Sequence, residues 1–474
     1  MNEITSSAAE ATRSRPPVTA FLADWVTKLR FSDIPTEAVE TTKRAFADTL
    51  SVTLAGAGEA AASRARQALV DEPGKSLVIG TSLRTTARTA AFLNGVAAHV
   101  HDFDDGNATM LGHPSTGMVP ALLALADERN VSGEQLITAY VAGMEVGAKI
   151  ARAMTYQHNA NGWHTTSTFG TFAATAASAK LLGLDAQQTR DALGIAASMA
   201  CGIRQNFGTS TKPVHAGRAA ENGVMAAKLA LAGIDASPTA IEGHEGFMHL
   251  FGDLSVICFE DAMRDMGAPF EVMRINVKLY PVCAMVLPAL DVLVEGLRNK
   301  ELDLADITSV RCGTSYQTLN IMRYDRPESH LQAKFSYSYC VAVALRKGDV
   351  TLADFTPDAL KDPATRKIME SVEPYVHPDQ STPELFEPLY RAGKAFTEVD
   401  VMRRDGSLFK RRKSNYIGSS SDPVSWEHLE RKYRACTDGM FDSARSDLIL
   451  TRFQHLDRLN RVGTPILLGL EELQ

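Results

Sequence analysis

Residues 101 to 116 read HDFDDGNATMLGHPST and place three carboxylates and two imidazoles within sixteen positions. A histidine whose pKa lies near neutrality can take a proton from carbon or return it, and a neighbouring aspartate can fix the tautomer of its ring. The segment therefore indicates acid/base chemistry in which a histidine moves the proton.

The same residues have two other interpretations. Two histidines and three aspartates could hold a divalent ion, but the order H-D-F-D-D-G matches neither an EF-hand loop nor an H-E-x-x-H helix pair, so we expect no metal. Asp102, Asp104 and Asp105 could also form turns or helix caps, and a histidine near a helix start could be a packed neutral imidazole. A crowded polar loop therefore stays open as an alternative.

Cationic side chains recur at three predicted helix starts. His113 precedes a Pro-Ser start signal, His164 precedes a helix that opens with Thr and Ser, and Lys212, His215 and Arg218 lie at the start of a third helix. Cations are unfavourable at helix N-termini. If the three starts converge, their free backbone N–H groups and cations would form anion pockets for a ligand with two or three carboxylates. A phosphate-binding glycine loop is missing.

The elements that carry these residues are predicted to be helical from 17 to 270. Stretches such as TFAATAASAKLLGL are rich in Ala, Gly and Ser, which is typical of buried helices in close contact. Residues 271 to 416 have α+β character, with strands predicted in FEVMRINVKLYPV and ADITSVRCGTS and a hairpin around Asp405 and Gly406. We expect this part to be an inserted lid, because helices return over 417 to 474.

Composition limits the class of protein. The 474 residues carry a formal net charge of -7 and are 45 % hydrophobic, which predicts a soluble globular protein without a nucleic-acid or membrane partner. The six cysteines form no C-x-x-C pair, so we expect neither a zinc or iron–sulfur site nor disulfides, and a cytoplasmic location fits. The polar start over residues 1 to 16 is predicted to be a disordered tail without export signal features.

A series of segments resembles the MmgE/PrpD family. In chain order these are HDFDDGNATMLGHPS, GWHTTSTFGTFAATAASAKLLGL, TKPVHAGRAAENGVMAAKLALAG, IEGHEGF, VKLYPVC, YDRP and AKFSYSYCVAVAL. The family includes 2-methylcitrate dehydratase, cis-aconitate decarboxylase and iminodisuccinate epimerase. The resemblance implies a mainly α fold with a large helical domain and a smaller α+β lid, a homodimer, small polycarboxylate substrates, and neither metal nor organic cofactor.

The resemblance also implies residue roles. His113 is the expected proton donor or acceptor at carbon, and Asp102 the group that orients a cation or an imidazole. Lys212, His164 and Lys278 are expected to hold carboxylates and to spread the charge that develops in the reaction. From their place at the start of the third helix, and not from the resemblance, His215 and Arg218 are expected to help to bind the substrate.

Tyr324, in the YDRP segment of the lid, is the fifth expected catalytic residue, together with His113, Asp102, His164 and Lys212. Its phenol would donate to a leaving hydroxyl or to a carboxylate. Closure of the lid would bring this phenol to the substrate and exclude water.

The chain departs from the family pattern at two positions. The decarboxylase pattern has a threonine where Gly106 stands, and the segment before His113 is one residue longer here. Many members have a histidine a few residues after the VKLYPVC cysteine, where this chain has Leu287. Because a site that loses a polar group usually binds a ligand with one polar contact fewer, these changes bear on the substrate rather than on the class of reaction.

The function predicted from the sequence is that of a cofactor-independent lyase acting on a small di- or tricarboxylic acid. Dehydration of a 2-methylcitrate-like acid is preferred, decarboxylation of a cis-aconitate-like acid comes next, and epimerisation of an iminodisuccinate-like acid third. The alternative from another class is an inactive polycarboxylate-binding protein. Binding alone does not need a titratable imidazole beside an aspartate, which argues against that alternative.

Overall fold

The computed structural model describes residues 15–69 and 72–470. Of the tail expected over residues 1–16, residues 1–14 lie outside the described residues. Its described end contacts the rest of the chain, because the Arg15 guanidinium donates to the backbone carbonyl of Glu242 at 2.7 Å.

Helices make up most of the chain up to residue 251, as the periodicity predicts. The described helices of this part are Val18–Lys28 (α1), Thr36–Gly56 (α2), Ala60–Leu69 (α3), Ala87–His99 (α4), Ser115–Glu128 (α5), Gly133–Ala160 (α6), Thr165–Leu182 (α7), Ala186–Ala197 (α8), Thr211–Leu231 (α9) and Phe247–Phe251 (α10).

Small side chains let these helices approach one another closely, as predicted. Helix α7 is buried almost all round and packs against both α6 and α9. A Cβ atom at Gly223 of α9 would lie 2.5 Å from the backbone of Ala174 in α7. At such a contact only glycine fits. Across the described residues, no helix combines the length and apolar character needed to cross a membrane.

The remaining elements build the lid and the C-terminal segment. The helices are Leu287–Arg298 (α11), Tyr316–Ile321 (α12), His330–Ala333 (α13), Tyr337–Lys347 (α14), Pro363–Met369 (α15), Pro383–Arg391 (α16), Trp426–Cys436 (α17), Ser443–Gln454 (α18) and Thr464–Leu467 (α19). The strands of the whole described chain are Ser76–Leu77 (β1), Arg84–Thr85 (β2), Gly106–Asn107 (β3), Ile275–Asn276 (β4), Ile307–Thr314 (β5), Val372–Val376 (β6), Thr397–Arg403 (β7) and Leu408–Lys413 (β8).

The lid contains a four-stranded sheet in the order β6-β5-β7-β8. Strands β5 and β6 are parallel, and the other two pairs are antiparallel. The predicted hairpin is confirmed as β7 and β8, and Gly406 in its turn has φ +83°, a conformation that glycine adopts without strain.

The strand predicted in FEVMRINVKLYPV is wrong for most of its length. Residues 271–274 form a short 3₁₀ turn, and only β4 is extended, pairing with β3. The apolar side chains of Val272, Ile275 and Val277 enter the helical core and do not line one face of a sheet.

Among the described residues, the two largest hydrophobic clusters form two cores. The larger core joins the N-terminal helices to α17 and α18, as the packing of Phe46 and Tyr140 in one cluster with Tyr433 and Phe453 shows. The second core lies between the lid sheet and helices α11 and α14. The predicted boundaries at residues 270/271 and 416/417 stay predictions, and the side chains of Val272, Ile275 and Val277 still pack in the larger, helical core.

Candidate active site

A cavity of about 280 Å³ lies between the helical part and the lid. The helical part contributes the loop of residues 106–113 and the starts of α7 and α9, and the lid contributes residues from α12, α16 and the loop 414–421. Of the residues singled out in the sequence, five line this cavity: Asp102, His113, His164, Lys212 and Lys278.

The three cation-bearing helix starts converge, as predicted. His113 lies two residues before α5, His164 is the N-cap of α7, and Lys212 is the second residue of α9. The expected free backbone N–H groups are not seen at these three positions, and that of His164 donates to the Gly202 carbonyl at 3.0 Å. The N–H of His113 donates to Thr166 Oγ1 at 3.0 Å and that of Lys212 to the Thr209 carbonyl at 3.2 Å. Side chains, not backbone groups, therefore give the cavity its anion-binding character here.

The loop between α4 and α5, called the acidic loop below, is positioned at both of its ends. It leaves α4 after His99 through a turn in which Asp102 has φ +53°, a left-handed conformation that aspartate tolerates better than most residues. It returns through β3, which pairs with β4 across the cavity, and then enters α5. This path places Asp102, Asp104 and His113 in one cluster.

Asp102 is held between two ammonium groups. Its Oδ1 accepts from Lys212 Nζ at 3.0 Å and from Lys278 Nζ at 3.1 Å, and its backbone carbonyl accepts from Lys278 at 2.7 Å. Burial alone would raise the pKa of Asp102, but the charges of Lys212 and Lys278 outweigh it and hold the pKa below its ordinary value. Each ammonium keeps one N–H for a ligand, because Lys212 donates its second one to His99 Nε2 at 2.8 Å.

Asp104 fixes the tautomers of two histidines. Its Oδ2 lies 2.8 Å from His99 Nδ1 and 3.0 Å from His113 Nδ1. Burial disfavours the carboxylate, yet His99 and His113 hold the pKa of Asp104 well below its ordinary value. Since an ionised carboxylate can only accept, both rings donate from Nδ1 and keep Nε2 for other partners. The backbone carbonyl of Asp105, 2.8 Å from His113 Nδ1, strengthens this orientation.

The free nitrogen of His113 lies in the cavity. Its Nε2 is 3.5 Å from Asp102 Oδ1, and 17 % of its side chain is exposed, whereas Asp102 and Lys212 are each 6 % exposed. The ring can thus take up a proton at Nε2 beside one carboxylate while Nδ1 stays bound to another. This arrangement suits a general acid or base.

The remaining histidines of the cluster are buried in neutral form. Burial lowers the pKa of His99 to about 4. Burial and the charge of Lys212 hold the pKa of His164 well below its ordinary value and lower that of His215 to about 4. His164 Nδ1 lies 2.9 Å from His215 Nδ1, so His215 supports His164 from behind and does not line the cavity.

Two expected residues lie away from the cavity lining. Arg218 is nearly half exposed and pairs with Glu221 at 2.6 Å, one turn along α9. The Tyr324 hydroxyl donates to the Phe207 carbonyl at 2.8 Å, so its proton is directed at the loop before α9. Neither side chain faces the cavity in this structure, because each has a partner elsewhere. Arg218 is therefore left outside the candidate site.

The sequence does not predict the structural roles of His99, Asp104 and Lys432. Lys432 Nζ, from α17, donates to the carbonyls of Phe103 and Lys278 at 2.7 and 2.8 Å and pairs with Asp48 at 2.6 Å. Asp104 was visible only as a turn former. The role of His99 could have been predicted from its position at the end of a helix, three residues before Asp102. No local pattern marks Lys432.

A second buried network lies beneath the loop. The Asp105 carboxyl contacts the Ser115 hydroxyl, which lies 2.6 Å from the Tyr140 hydroxyl. Burial and the neighbouring Asp48 raise the pKa of Asp105 well above its ordinary value. Adjacent aspartates in the sequence thus differ in the direction of their pKa shifts, which favour the carboxylate at Asp104 and the neutral acid at Asp105.

The two departures from the family pattern differ in their consequences. Gly106 lines the cavity, and a Cβ atom added there would meet only the Gly112 carbonyl oxygen, at 3.7 Å, so the absent side chain leaves open space. Leu287 is 1 % exposed and packs in the core of the lid. Only the first departure changes the wall of the cavity.

The cluster also has the residue types of a metal site. Ligand atoms of His99, Asp102, Asp104 and His113 lie within 4.8 Å of one another. However, Asp102 already accepts from the ammonium groups of Lys212 and Lys278, and Asp104 is bound by the Nδ1 atoms of His99 and His113. Both His99 nitrogens have hydrogen-bond partners. A divalent ion would have to displace both lysines, so the donor set fits a metal poorly.

Comparisons with known proteins agree with the resemblance. The family model of the MmgE/PrpD N-terminal domain matches residues 20–256, and that of the MmgE/PrpD C-terminal domain matches residues 280–456. The cis-aconitate decarboxylase of Aspergillus terreus is 28 % identical over 482 residues, covering 95 % of each chain. That of Mus musculus is 27 % identical over 459 residues, covering 93 % of this chain and 91 % of the relative. That of Homo sapiens is 28 % identical over 395 residues, covering 80 % of this chain and 78 % of the relative. The chain belongs to the MmgE/PrpD family.

Proposed function

We propose that the protein is a cofactor-independent decarboxylase of a small unsaturated polycarboxylic acid of the cis-aconitate type. The observation that carries the proposal is His113, which is held by Asp104 and whose Nε2 lies in the cavity beside the Lys212 and Lys278 ammonium groups. The names of the relatives support decarboxylation among the reactions of the family.

The reaction needs a stabilised carbanion and a proton donor. When the bond from carbon to the leaving carboxyl breaks, its electron pair stays on the substrate and is delocalised into a neighbouring carboxylate. Lys212 and Lys278 each have an N–H left for that carboxylate, and fixed charges of this kind commonly supply several kcal/mol. His113, protonated at Nε2 next to Asp102, then gives its proton to carbon, and CO2 departs.

Dehydration of a 2-methylcitrate-like acid, the preference from the sequence, is less well supported. The relatives named above are decarboxylases. Dehydration also needs a donor for the leaving hydroxyl. The expected donor, Tyr324, instead donates a hydrogen bond to the backbone carbonyl of Phe207. No contact among the described residues favours epimerisation.

The absence of a metal stays part of the proposal. It is supported by the pairing of Asp102 with Lys212 and Lys278 and of Asp104 with His113, which already occupies the ligand atoms. If elemental analysis found a stoichiometric metal that activity requires, this part would be wrong.

Replacement of His113 by alanine separates an enzyme from a binding protein. For an enzyme we expect CO2 release from cis-aconitate to fall by about 10²- to 10⁴-fold, with much of the ligand affinity kept. His455→Ala, an exposed histidine at the end of α18, is the matched control and should behave as wild type. Equal loss of turnover and affinity would contradict a catalytic role, and a lower melting temperature with normal turnover would indicate a structural one.

A further inference from the structure

Asn159, in the last turn of α6, lines the cavity and is not used by the proposed reaction. The residue is 6 % exposed. Its Oδ1 accepts from Arg204 at 3.1 Å and from the lid residue Gln317 at 3.2 Å. A guanidinium can only donate, so the atom it contacts must be the amide oxygen. The Nδ2 group is thereby turned away, and among the described residues it has no hydrogen-bond partner.

The backbone before Asn159 is bent. Thr155 has φ +59°, which is a strained conformation for a β-branched residue and interrupts α6 one turn before its end. Arg204 also donates to the Asn159 backbone carbonyl at 2.8 Å and so holds this turn. Strained backbone that is retained in this way often marks a functional position.

The cavity wall around Asn159 differs in charge from the wall formed by Lys212 and Lys278. Gln317, Thr318 and Phe386 line it nearby, and none carries a charge. Within the described residues, the charged Asp102, Lys212 and Lys278 of the lining contact one another and make no contact with Asn159. The Arg204 guanidinium lies behind the Asn159 amide oxygen and does not line the cavity. A substrate with several carboxylates would therefore meet ammonium groups at one end and neutral donors at the other.

The two ends suit different carboxylates of one substrate. Lys212 and Lys278 share a single oxygen of Asp102, so they lie side by side, as do two carboxylates that are cis on a double bond. These carboxylates keep or gain charge in the reaction. The leaving carboxylate loses its charge, so an ammonium bound to it would stabilise the ground state more than the transition state. A neutral donor can orient this group without that penalty.

Resting on the proposed function, we propose that Asn159 Nδ2 binds and orients the carboxylate that leaves as CO2, while the two lysines hold the cis pair. The bond from the CH2 carbon to this carboxylate breaks, and its electrons form a new double bond to the central carbon. The original double bond shifts its electrons to the other carbon, which takes the proton from His113 Nε2.

The test compares cis-aconitate with methylmaleate, in which a methyl group replaces the carboxymethyl arm. Asn159→Asp keeps an acceptor for Arg204 and Gln317, so it should fold with an unchanged melting temperature. It places a negative charge beside the leaving carboxylate, so we expect KM for cis-aconitate to rise about 100-fold while kcat is retained. The inhibition constant of methylmaleate should change less than about threefold. Asn159→Ala, which removes the donor without adding charge, should raise KM by about 10-fold.

The outcomes separate this inference from the proposed function. An unchanged KM in both variants, or a parallel rise of KM and of the methylmaleate constant, would overturn the role of Asn159. If the wild type releases no CO2 from cis-aconitate, the proposed function fails, and the same comparison is made with dissociation constants from calorimetry. Selective loss of cis-aconitate affinity in Asn159→Asp would then support the contact, and equal losses would refute it. Asn299→Asp, outside the cavity on the exposed end of α11, is the control.

Discussion

At the scale of single residues, the adjacent aspartates 104 and 105 offer a matched pair of substitutions. Asp104→Asn removes the charge that fixes the tautomers of His99 and His113, and turnover losses up to about 10⁴-fold are known for such a change. We expect turnover to fall at least about 100-fold. Asp105→Asn replaces a neutral acid by a neutral amide, so it should cost less than about 10-fold. Steady-state rates of both variants test this, and equal losses would contradict the assignment of charge.

Tyr324 tests whether the lid residue acts on the substrate or on the protein. Because its hydroxyl donates to the carbonyl of Phe207, a lining residue in the loop before α9, Tyr324→Phe should loosen that loop. The structure predicts that KM rises less than about 10-fold and that turnover stays nearly unchanged. If turnover instead fell about 100-fold or more, the phenol would reach the substrate, as the family resemblance implies. Arg326→Gln, at an exposed position of the same segment, is the control.

At the scale of elements, α17 fastens the acidic loop to the segment that carries Lys278. Lys432→Met removes the donor to the Phe103 and Lys278 carbonyls and leaves Asp48 buried without its ion pair. Breaking a buried pair in this way commonly costs about 3–5 kcal/mol. We expect chemical denaturation to show a loss of that order and kcat/KM to fall.

The double variant Lys432→Met with Asp48→Asn separates stability from positioning. Removal of the unpaired charge should restore most of the free energy of unfolding. The two carbonyls still lack their donor, so kcat/KM should stay low. Full recovery of activity together with stability would contradict a positioning role for Lys432.

The sequence predicts elements well where one local pattern decides them. The helical part, strand β5, the β7–β8 hairpin and the positions of the three cation-bearing helix starts follow from periodicity, turn residues and cap signals. That the three starts converge depends on the tertiary packing. The strand predicted around residue 275 fails because its apolar residues are buried by a distant helical core. For the same reason Lys432 was not found, since its three partners come from distant parts of the chain.

At the scale of the whole molecule, buried titratable groups act in opposite directions on stability. Burial lowers the pKa of His158 to about 4, below its unfolded value of about 6.5. Between these pH values the unfolded chain binds the extra proton, so this histidine contributes stability that falls as the pH is lowered. Glu145 behaves oppositely, because burial raises its pKa to about 7 from 4.5.

Paired variants make these contributions measurable. The difference in free energy of unfolding between wild type and His158→Gln should rise by about 1.4 kcal/mol per pH unit from pH 4 to 6.5 and then level off. The difference between wild type and Glu145→Gln should fall with pH from about 4.5 to 7. Denaturant titrations across this range measure both, and parallel lines for either pair would show that the group titrates normally.

The homodimer implied by the resemblance and the cytoplasmic location predicted from the cysteine pattern stay predictions, as does closure of the lid over the cavity. The cavity lies between two separate hydrophobic cores, which is where closure would exclude water from the reacting carbons. Sedimentation equilibrium at micromolar concentration tests the dimer, for which we expect twice the mass of the 474-residue chain.

The most direct test of the central claim is proton NMR of the purified protein with cis-aconitate in deuterated buffer, with citrate, 2-methylcitrate and iminodisuccinate in parallel samples. We predict loss of one carboxyl group from cis-aconitate, new olefinic CH2 signals, and a single deuterium on the carbon that receives the proton from His113. Loss of water from 2-methylcitrate, or exchange at carbon without release of CO2, would contradict decarboxylation and assign the same residues to another reaction of the family.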